Sequence, residues 1–370
     1  PVIMYAQDDA DEQASQVSDM TEEGVSAMVI APVDPYGLSE ELKAAKEAEI
    51  PVIAYDDLIM NTDGVKYYVT FGGRQIGQLI GQEIIDKEEL EKLQEAKESK
   101  TIEFLMGSLD DTQALFFYNG LMEKLQPYLD DGTLVCKSGQ ITFEETGILR
   151  WSMDKAQSRA EDILEEAYQD GEAPDIICTG FDGAAEGAVN ALQNNGLTPG
   201  ENWPMITGVG CDADAVRDIA ESEIACSVFM DRRVLADQAE DMVNVYLHGE
   251  DDPEVNDYEQ YDNGTKIIAS YLCEPQLINI DNYEILIDSG YYTEDEVKPE
   301  TTPTPEPTVT PEITEEPDVT ATPEVTESPE ATITPEVTEE SEETATPTPT
   351  EKVTPTPKER ITLKRSTKNK

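Results

Sequence analysis

Short apolar runs without a helical period alternate with amphipathic stretches through most of this chain. The clearest unit spans residues 25–59. Val25–Ile30 is a compact apolar run that reads as a buried strand. A turn region carrying Pro32, Pro35 and Gly37 follows. Ser39 stands where a helix N-cap belongs, with Glu40 and Glu41 in the first turn and Leu42, Ala45 and Ala48 forming an apolar stripe. Pro51 stops that helix, and Pro51–Tyr55 is a second apolar strand ending at Asp56 and Asp57. Strand, helix and strand at this spacing make one parallel, right-handed βαβ unit, and in open parallel sheets ligands sit beyond the carboxyl ends of the strands.

The same alternation continues in both directions. Residues 1–6 read as a strand and Glu12–Glu23 as a helix with Ala14, Val17 and Met20 on one face. Val65–Phe71 is a strand and Ile76–Glu98 one long helix, charged at its end. A second series follows. Strands are expected at Thr101–Met106, Thr133–Cys136, Asp175–Cys178, Met205–Thr207, Ala225–Phe229 and Lys266–Leu272. Helices are expected at Gln113–Leu129, closed by a Pro127-Tyr128 break, and at Ser152–Tyr168, Asp182–Asn195, Ala213–Ala220 and Asp231–Leu247. An irregular segment runs on to about Val297. The class is α/β with parallel sheets, divided between two smaller sheets rather than gathered in one. From Pro299 the pattern stops. Thirteen of the 23 prolines lie there among Thr and Glu, so 298–360 reads as a disordered, extended spacer. Residues 361–370 turn basic and β-like, either a tail or the start of a further domain.

Charge narrows the partners. The formal net charge is -55, and residues 1–298 hold 64 acids against 18 bases. Such a field repels phosphate backbones and anionic lipid, so nucleic acid is not a partner. No run approaches the ~20 apolar residues of a membrane span. The opening Pro1-Val-Ile-Met-Tyr-Ala reads as a strand already under way, so an N-terminal truncation is expected. The five cysteines (136, 178, 211, 226, 273) show no CxxC spacing, and Cys178 and Cys226 read as buried free thiols. The single histidine, His248, stands at a helix end as a solvated cap. Zinc sites and histidine-based triads are therefore excluded, and no metal is expected. The GxG within Thr207–Ala213 lacks the later glycine and acid spacing of a dinucleotide site, so no cofactor is expected.

Asp56 and Asp57 are the first candidates for chemistry, because carboxylates accept hydrogen bonds from hydroxyls. A plain turn cap is the alternative role for Asp56. The stretch VIAPVD…IPVIAYDDLI resembles the type I periplasmic sugar-binding proteins of the xylose and multiple-monosaccharide branch. Further segments are similar in order: GSLDDTQALFFY to GDPxDNNAxxFF, ETGILRW to the run before a sugar-stacking aromatic, DIICTGFDGAAEG to DAVxxxNDGxxxG, TGVGCDA to TGQDA, and SVFMDRRVLAD to TVFKDTRxLAE. Residues 261–292 resemble the family's C-terminal segment. The resemblance implies that Asp56, Asp57, Gln113, Trp151, Phe181, Asp212 and Met230 line the ligand site, with Trp151 stacking on the sugar ring and Asp212 as the main carboxylate of the second lobe. A core position is the alternative for Trp151, and a helix cap at Asp111 or Thr112 accompanies Gln113. This chain departs from the pattern at four places. Asp57 replaces an arginine, Thr112 and Gln113 an asparagine pair, Phe181 an asparagine, and Met230 a polar residue.

The implied architecture is two Rossmann-like lobes joined by a three-crossing hinge. One is expected at 1–99 with 232–270, lacking the family's first strand and helix, and the other at 100–231 with 271–297. The implied function is an extracytoplasmic binding protein, periplasmic or on the cell surface. It would be a monomer that delivers a monosaccharide to the permease of an ABC importer or to a sensor, and not an enzyme. A sugar-responsive repressor core and a decayed binder are the alternatives. The repressor would need a basic headpiece that this charge opposes. Adjacent Asp56 and Asp57 diverge along one strand end, which does not suit two carboxyls flanking a glycosidic bond.

Overall fold

The computed structural model describes residues 2–168, 171–200, 202–249 and 252–298. The expected spacer and basic tail lie outside them. In chain order the first elements are α1 Ala10–Glu23, β1 Met28–Ile30, α2 Ser39–Glu47, β2 Val52–Tyr55, β3 Val65–Phe71, α3 Gly73–Lys87 and α4 Leu90–Ala96. β4 Lys100–Leu105, α5 Thr112–Asp130, β5 Leu134–Val135, α6 Phe143–Thr146, α7 Met153–Ala167, β6 Ile176–Thr179 and α8 Asp182–Asn194 follow. The last are β7 Met205–Gly210, α9 Ala213–Ala220, β8 Cys226–Phe229, α10 Arg232–His248, β9 Ser270–Cys273, β10 Gln276–Asn279, α11 Ile285–Asp288 and α12 Glu294–Val297.

The strands form two sheets, one ordered β1-β2-β3-β9 and the other β10-β8-β7-β6-β4-β5. All pairings are parallel except β10 on β8. α1 and α2 cover one face of the first sheet, where Leu42 and Ala45 are fully buried against Val52, Ala54 and Tyr68. Burying a leucine contributes about 1.5–3 kcal/mol. α7, α8 and α9 cover one face of the second sheet through an alanine-rich core that includes Ala184, Ala185, Ala188 and Ile206. A third cluster runs from Ile53 and Val69 of the first sheet through α3 and α5 to Phe104 and Val228 of the second. The architecture is α/β, two helix-flanked sheets joined through this shared core.

The passage between sheets departs from the expected boundaries. α3 packs along α5 and touches β8, so it belongs with the second sheet, and the first crossing falls at Phe71–Gly73 rather than at residue 99. Glycine is the cause. A Cβ on Gly77 would stand 2.0 Å from the Phe117 carbonyl oxygen, and one on Gly120 would stand 2.0 Å from that of Arg74. α10 returns the chain to β3, and the third crossing lies between Cys273 and Gln276 rather than at 270.

Other expectations shift locally. Residues 2–6 form no strand, and Val2, Ile3 and Tyr5 are exposed without a sheet partner. Val25 is left out of β1, which begins at Met28, and the expected strand at 266 begins only at Ser270. Leu38, not Ser39, occupies the N-cap of α2, and the Ser39 hydroxyl donates to the Asn61 carbonyl at 3.4 Å. The expected 76–98 helix is two helices, broken where Glu89 adopts a left-handed φ of 51°. Pro127 sits inside α5 without ending it. The segment after Cys273 is not irregular but supplies β10 and two short helices.

Replacing Gly77 by valine should lower the thermal midpoint substantially, because overpacking costs about 1–3 kcal/mol even where neighbours can shift, and here the obstruction is backbone. The change is read by circular dichroism; a midpoint within a degree of the parent would mean that α3 and α5 do not pack this closely.

Candidate functional site

The carboxyl ends of both sheets present acids. β2 runs directly into Asp56 and Asp57. Asp56 takes φ 64°, a left-handed conformation that aspartate tolerates better than most residues. Its amide donates to the Val69 carbonyl at 2.9 Å, while its carbonyl accepts from the Tyr68 hydroxyl at 2.5 Å and the Thr70 hydroxyl at 2.9 Å. The backbone is thus clamped and the side chains are left free. Burial, then the charges of Asp111 and Asp56, push the Asp57 carboxyl up to about 7. Asp56 is exposed to the cleft yet crowded by protein, and this desolvation raises it while Arg232 pulls it down.

The facing edge is the loop between β4 and α5. Asp111 caps α5 by accepting the Gln113 amide at 2.7 Å, and burial nonetheless raises it. The Ser108 hydroxyl donates to Asp110 and lowers that exposed carboxyl. Asp57, Leu58 and Met60 from the first sheet and Asp110, Asp111 and Thr112 from the second enclose a cavity of about 160 Å³. A larger groove, about 480 Å³, lies at the amino ends of β7 and β8 around Met205 and Ala225. Its place at the wrong end of the strands outweighs its size.

The remaining loops of the second sheet complete the cleft rim. Trp151 ends a one-turn helix at Leu149–Trp151 in which Arg150 and Trp151 adopt φ of 61° and 51°. Two consecutive left-handed side chains are strained, a condition that clusters at ligand sites. The indole lies over Gly107, where a Cβ would come within 2.4 Å of the ring, and meets Phe181 edge to face at 5.4 Å. It remains 38% exposed, so it is a loop residue with a free face and not a core tryptophan. Phe181 precedes α8 and contributes that edge contact.

Asp182, which falls on the Asp of the DAVxxxNDGxxxG pattern, was not among the residues expected to line the site. It is 1% exposed and accepts from the Ser227 hydroxyl at 2.6 Å and the Asp212 amide at 2.7 Å. Burial drives it up to about 7 against those hydrogen bonds. A Cβ on Gly208 would fall 2.4 Å from its carboxylate. Asp182 therefore fixes the loop, and Asp212 is displayed at the N-terminus of α9, exposed, with no side-chain hydrogen bond among the described residues.

Gln113 bridges the two lobes: its amide nitrogen donates to the Tyr68 hydroxyl at 2.7 Å and the Thr70 hydroxyl at 3.1 Å, while its carbonyl oxygen is buried without a hydrogen-bond partner among the described residues. Met230 stands at the second crossing, half-buried against the shared core. Beside it Arg232, which sequence reading passed over, is exposed at the start of α10 and acts on Asp56. Arg233 anchors that crossing, donating to the Ser289 carbonyl at 3.0 Å. Asp111 was legible only as a cap; nothing local signals that it faces Asp57. All five cysteines are free and no group of metal-ligand spacing occurs among the described residues.

A profile of the periplasmic binding protein domain matches residues 1–251. The chain belongs to that family. It is 39% identical over 298 residues to the multiple sugar-binding periplasmic receptor ChvE of Rhizobium radiobacter, covering 80% of this chain and 83% of the relative. It is 27% identical over 298 residues to the D-xylose-binding periplasmic protein of Escherichia coli, covering 80% and 82%. Among solved structures, an ABC transporter solute-binding protein from Clostridium phytofermentans with bound β-D-glucose is 41% identical with a TM-score of 0.71, covering 80% of this chain and 89% of that one. Family members of this kind are solute-binding receptors, and the relatives are periplasmic.

The raised carboxyls set a pH dependence. Asp57, Asp182 and Glu186 stand at about 7 and Asp218 at about 6. Unfolded, each titrates near 4. The folded state therefore holds more protons between about pH 4 and pH 7, and stability falls as pH rises through that window. Carboxyls lowered by partners, such as Glu123 and Asp231, act only below it. The ligand-free protein should melt several degrees higher at pH 5 than at pH 8 by scanning calorimetry; the reverse order would contradict the assigned burial.

Proposed function

We propose that this protein binds a monosaccharide outside the cytoplasm, as a monomer and without catalysis, and presents it to the permease of an ABC importer or to a sensor. The observation that carries the reading is the exposed indole face of Trp151 on the rim of a cleft whose opposite walls bring carboxylates. Flat apolar stacking with several hydroxyl acceptors matches the two faces of a sugar ring. The sugars bound by the relatives support the same class. Asp56, Asp57 and Asp212 accept hydroxyls, Phe181 backs the stacking ring, Met230 borders the hinge, and Gln113 sets the lobe spacing.

Binding should be visible as stabilisation. A sugar at 100 times its dissociation constant adds about 2.7 kcal/mol, so a thermal-shift screen of xylose, glucose, galactose, arabinose and ribose should move the midpoint by several degrees for at least one. Asp212→Ala should abolish that shift while leaving the ligand-free midpoint within a few degrees. Unchanged affinity in this variant would remove Asp212 from the site.

The two tryptophans allow an optical check. Trp203 is tied to the Glu223 carbonyl at 2.8 Å, far from the cleft end of the strands. Trp203→Phe should keep the ligand-induced fluorescence change, and Trp151→Phe should lose it. A signal that follows Trp203 instead would place the ligand elsewhere.

A further inference from the structure

The acids of the cleft are unequally balanced. Arg232 acts on Asp56, and Ser108 donates to Asp110. Asp111 spends one oxygen on the Gln113 amide. Asp57 has no side-chain hydrogen bond among the described residues, and the charges acting on it, Asp111 and Asp56, share its sign. No lysine or arginine lines the cavity that holds Asp57 and Asp111. These two carboxylates come from opposite lobes, so any closure brings like charges together as water leaves.

A neutral sugar offers hydroxyl donors but no countercharge, and the repulsion strengthens as the local dielectric falls. A cation placed between the two walls reverses the sign of that interaction and joins the lobes. A metal ion is not favoured, because no three ligating side chains among the described residues converge. An ammonium needs only two or three acceptors in open geometry. Ser108 also accepts the Arg150 amide at 2.7 Å, which ties the Trp151 turn to the loop bearing Asp110 and Asp111. A ring lying on Trp151 therefore has these acids along its rim.

We propose that the ligand is an amino sugar, a hexosamine whose ammonium sits between Asp57 and Asp111. This rests on the monosaccharide reading above: the cleft stands as a ligand site on the free indole face and the family, and the carboxylates decide the class. The charge reversal at position 57 is then a selection against sugar acids and for cationic sugars.

The test uses the full chain at pH 7.5 and low salt, with titration calorimetry of D-glucosamine, D-galactosamine and D-mannosamine beside their neutral parents and N-acetyl-D-glucosamine. At least one hexosamine should bind tenfold or more tighter than its neutral parent. Its affinity should fall severalfold between 50 and 500 mM salt while that of the parent does not. Asp57→Asn should remove most of the preference for the hexosamine over its neutral parent, together with the salt dependence. The salt comparison on the unaltered protein stands even if that variant folds poorly. Equal or tighter binding of a neutral sugar overturns the amino-sugar assignment and leaves the monosaccharide reading intact. Stabilisation by calcium alone, without sugar, overturns it in favour of a metal site. Binding of no sugar in either series overturns the monosaccharide reading itself.

Discussion

The close approach of α3 to α5 governs where everything else in the cleft lies. Gly73, Gly77 and Gly81 on one helix and Gly120 on the other let backbone meet backbone, and side chains at Gly77 or Gly120 would collide with carbonyl oxygens. That contact brings the first turn of α5 beside β3, close enough for Gln113 to donate to Tyr68 and Thr70. Both hydroxyls donate onward to the Asp56 carbonyl. A chain of hydrogen bonds thus runs from a helix of the second lobe to the backbone that carries Asp56 and Asp57. The aromatic contact of Phe116 with Tyr261, and of Tyr261 with Tyr68, braces the same junction. The positions of the cleft acids are consequences of helix packing, not of the loop that bears them.

The second lobe uses a buried carboxylate for the same purpose. Asp182 holds the Asp212 amide and the Ser227 hydroxyl, joining the ends of β6, β7 and β8. Burying an acid here costs stability that the hydrogen bonds only partly offset, which is why its proton is held to about pH 7. What the arrangement provides is a fixed direction for the exposed Asp212. Trp151 shows a comparable exchange, with two left-handed residues accepted so that one indole face is presented to the cleft.

Much of this fold is written in local pattern. β3 and α9 fall where apolar period and flanking turns place them, because those signals need no distant partner. The misplacements involve partners far away in sequence. Residues 2–6 have strand composition but pair with no strand among the described residues. β10 looks irregular until β8 is seen beside it. α3 reads as the end of the first lobe, and only its glycines, meeting α5 some forty residues on, assign it to the second. The site divides in the same way. The positions of Asp56, Asp212 and Trp151 at strand and loop ends were legible because short motifs carry them there. Asp111 read as a cap, which it is, and its facing of Asp57 is a tertiary fact. Gln113 read as a ligand contact because its amide can be one; that its donors meet Tyr68 and Thr70 of the other lobe is a tertiary fact that no local pattern carries.

Substitution in this cleft is best understood as a set. The pattern that the sequence resembles places cations at the positions of Asp57 and Met230, and this chain has neither, while Arg232 stands two residues after Met230 on the same crossing. Arg232 restores one positive charge, but beside Asp56 rather than at Asp57. The cation of this crossing therefore acts on Asp56 and not on Asp57. Asp57 and Asp111 remain without a lysine or arginine lining their cavity, and the Asp111 charge already raises Asp57 across it. Under the amino-sugar proposal the ammonium fills the gap between these two acids, so charge selection and hinge closure become one physical event.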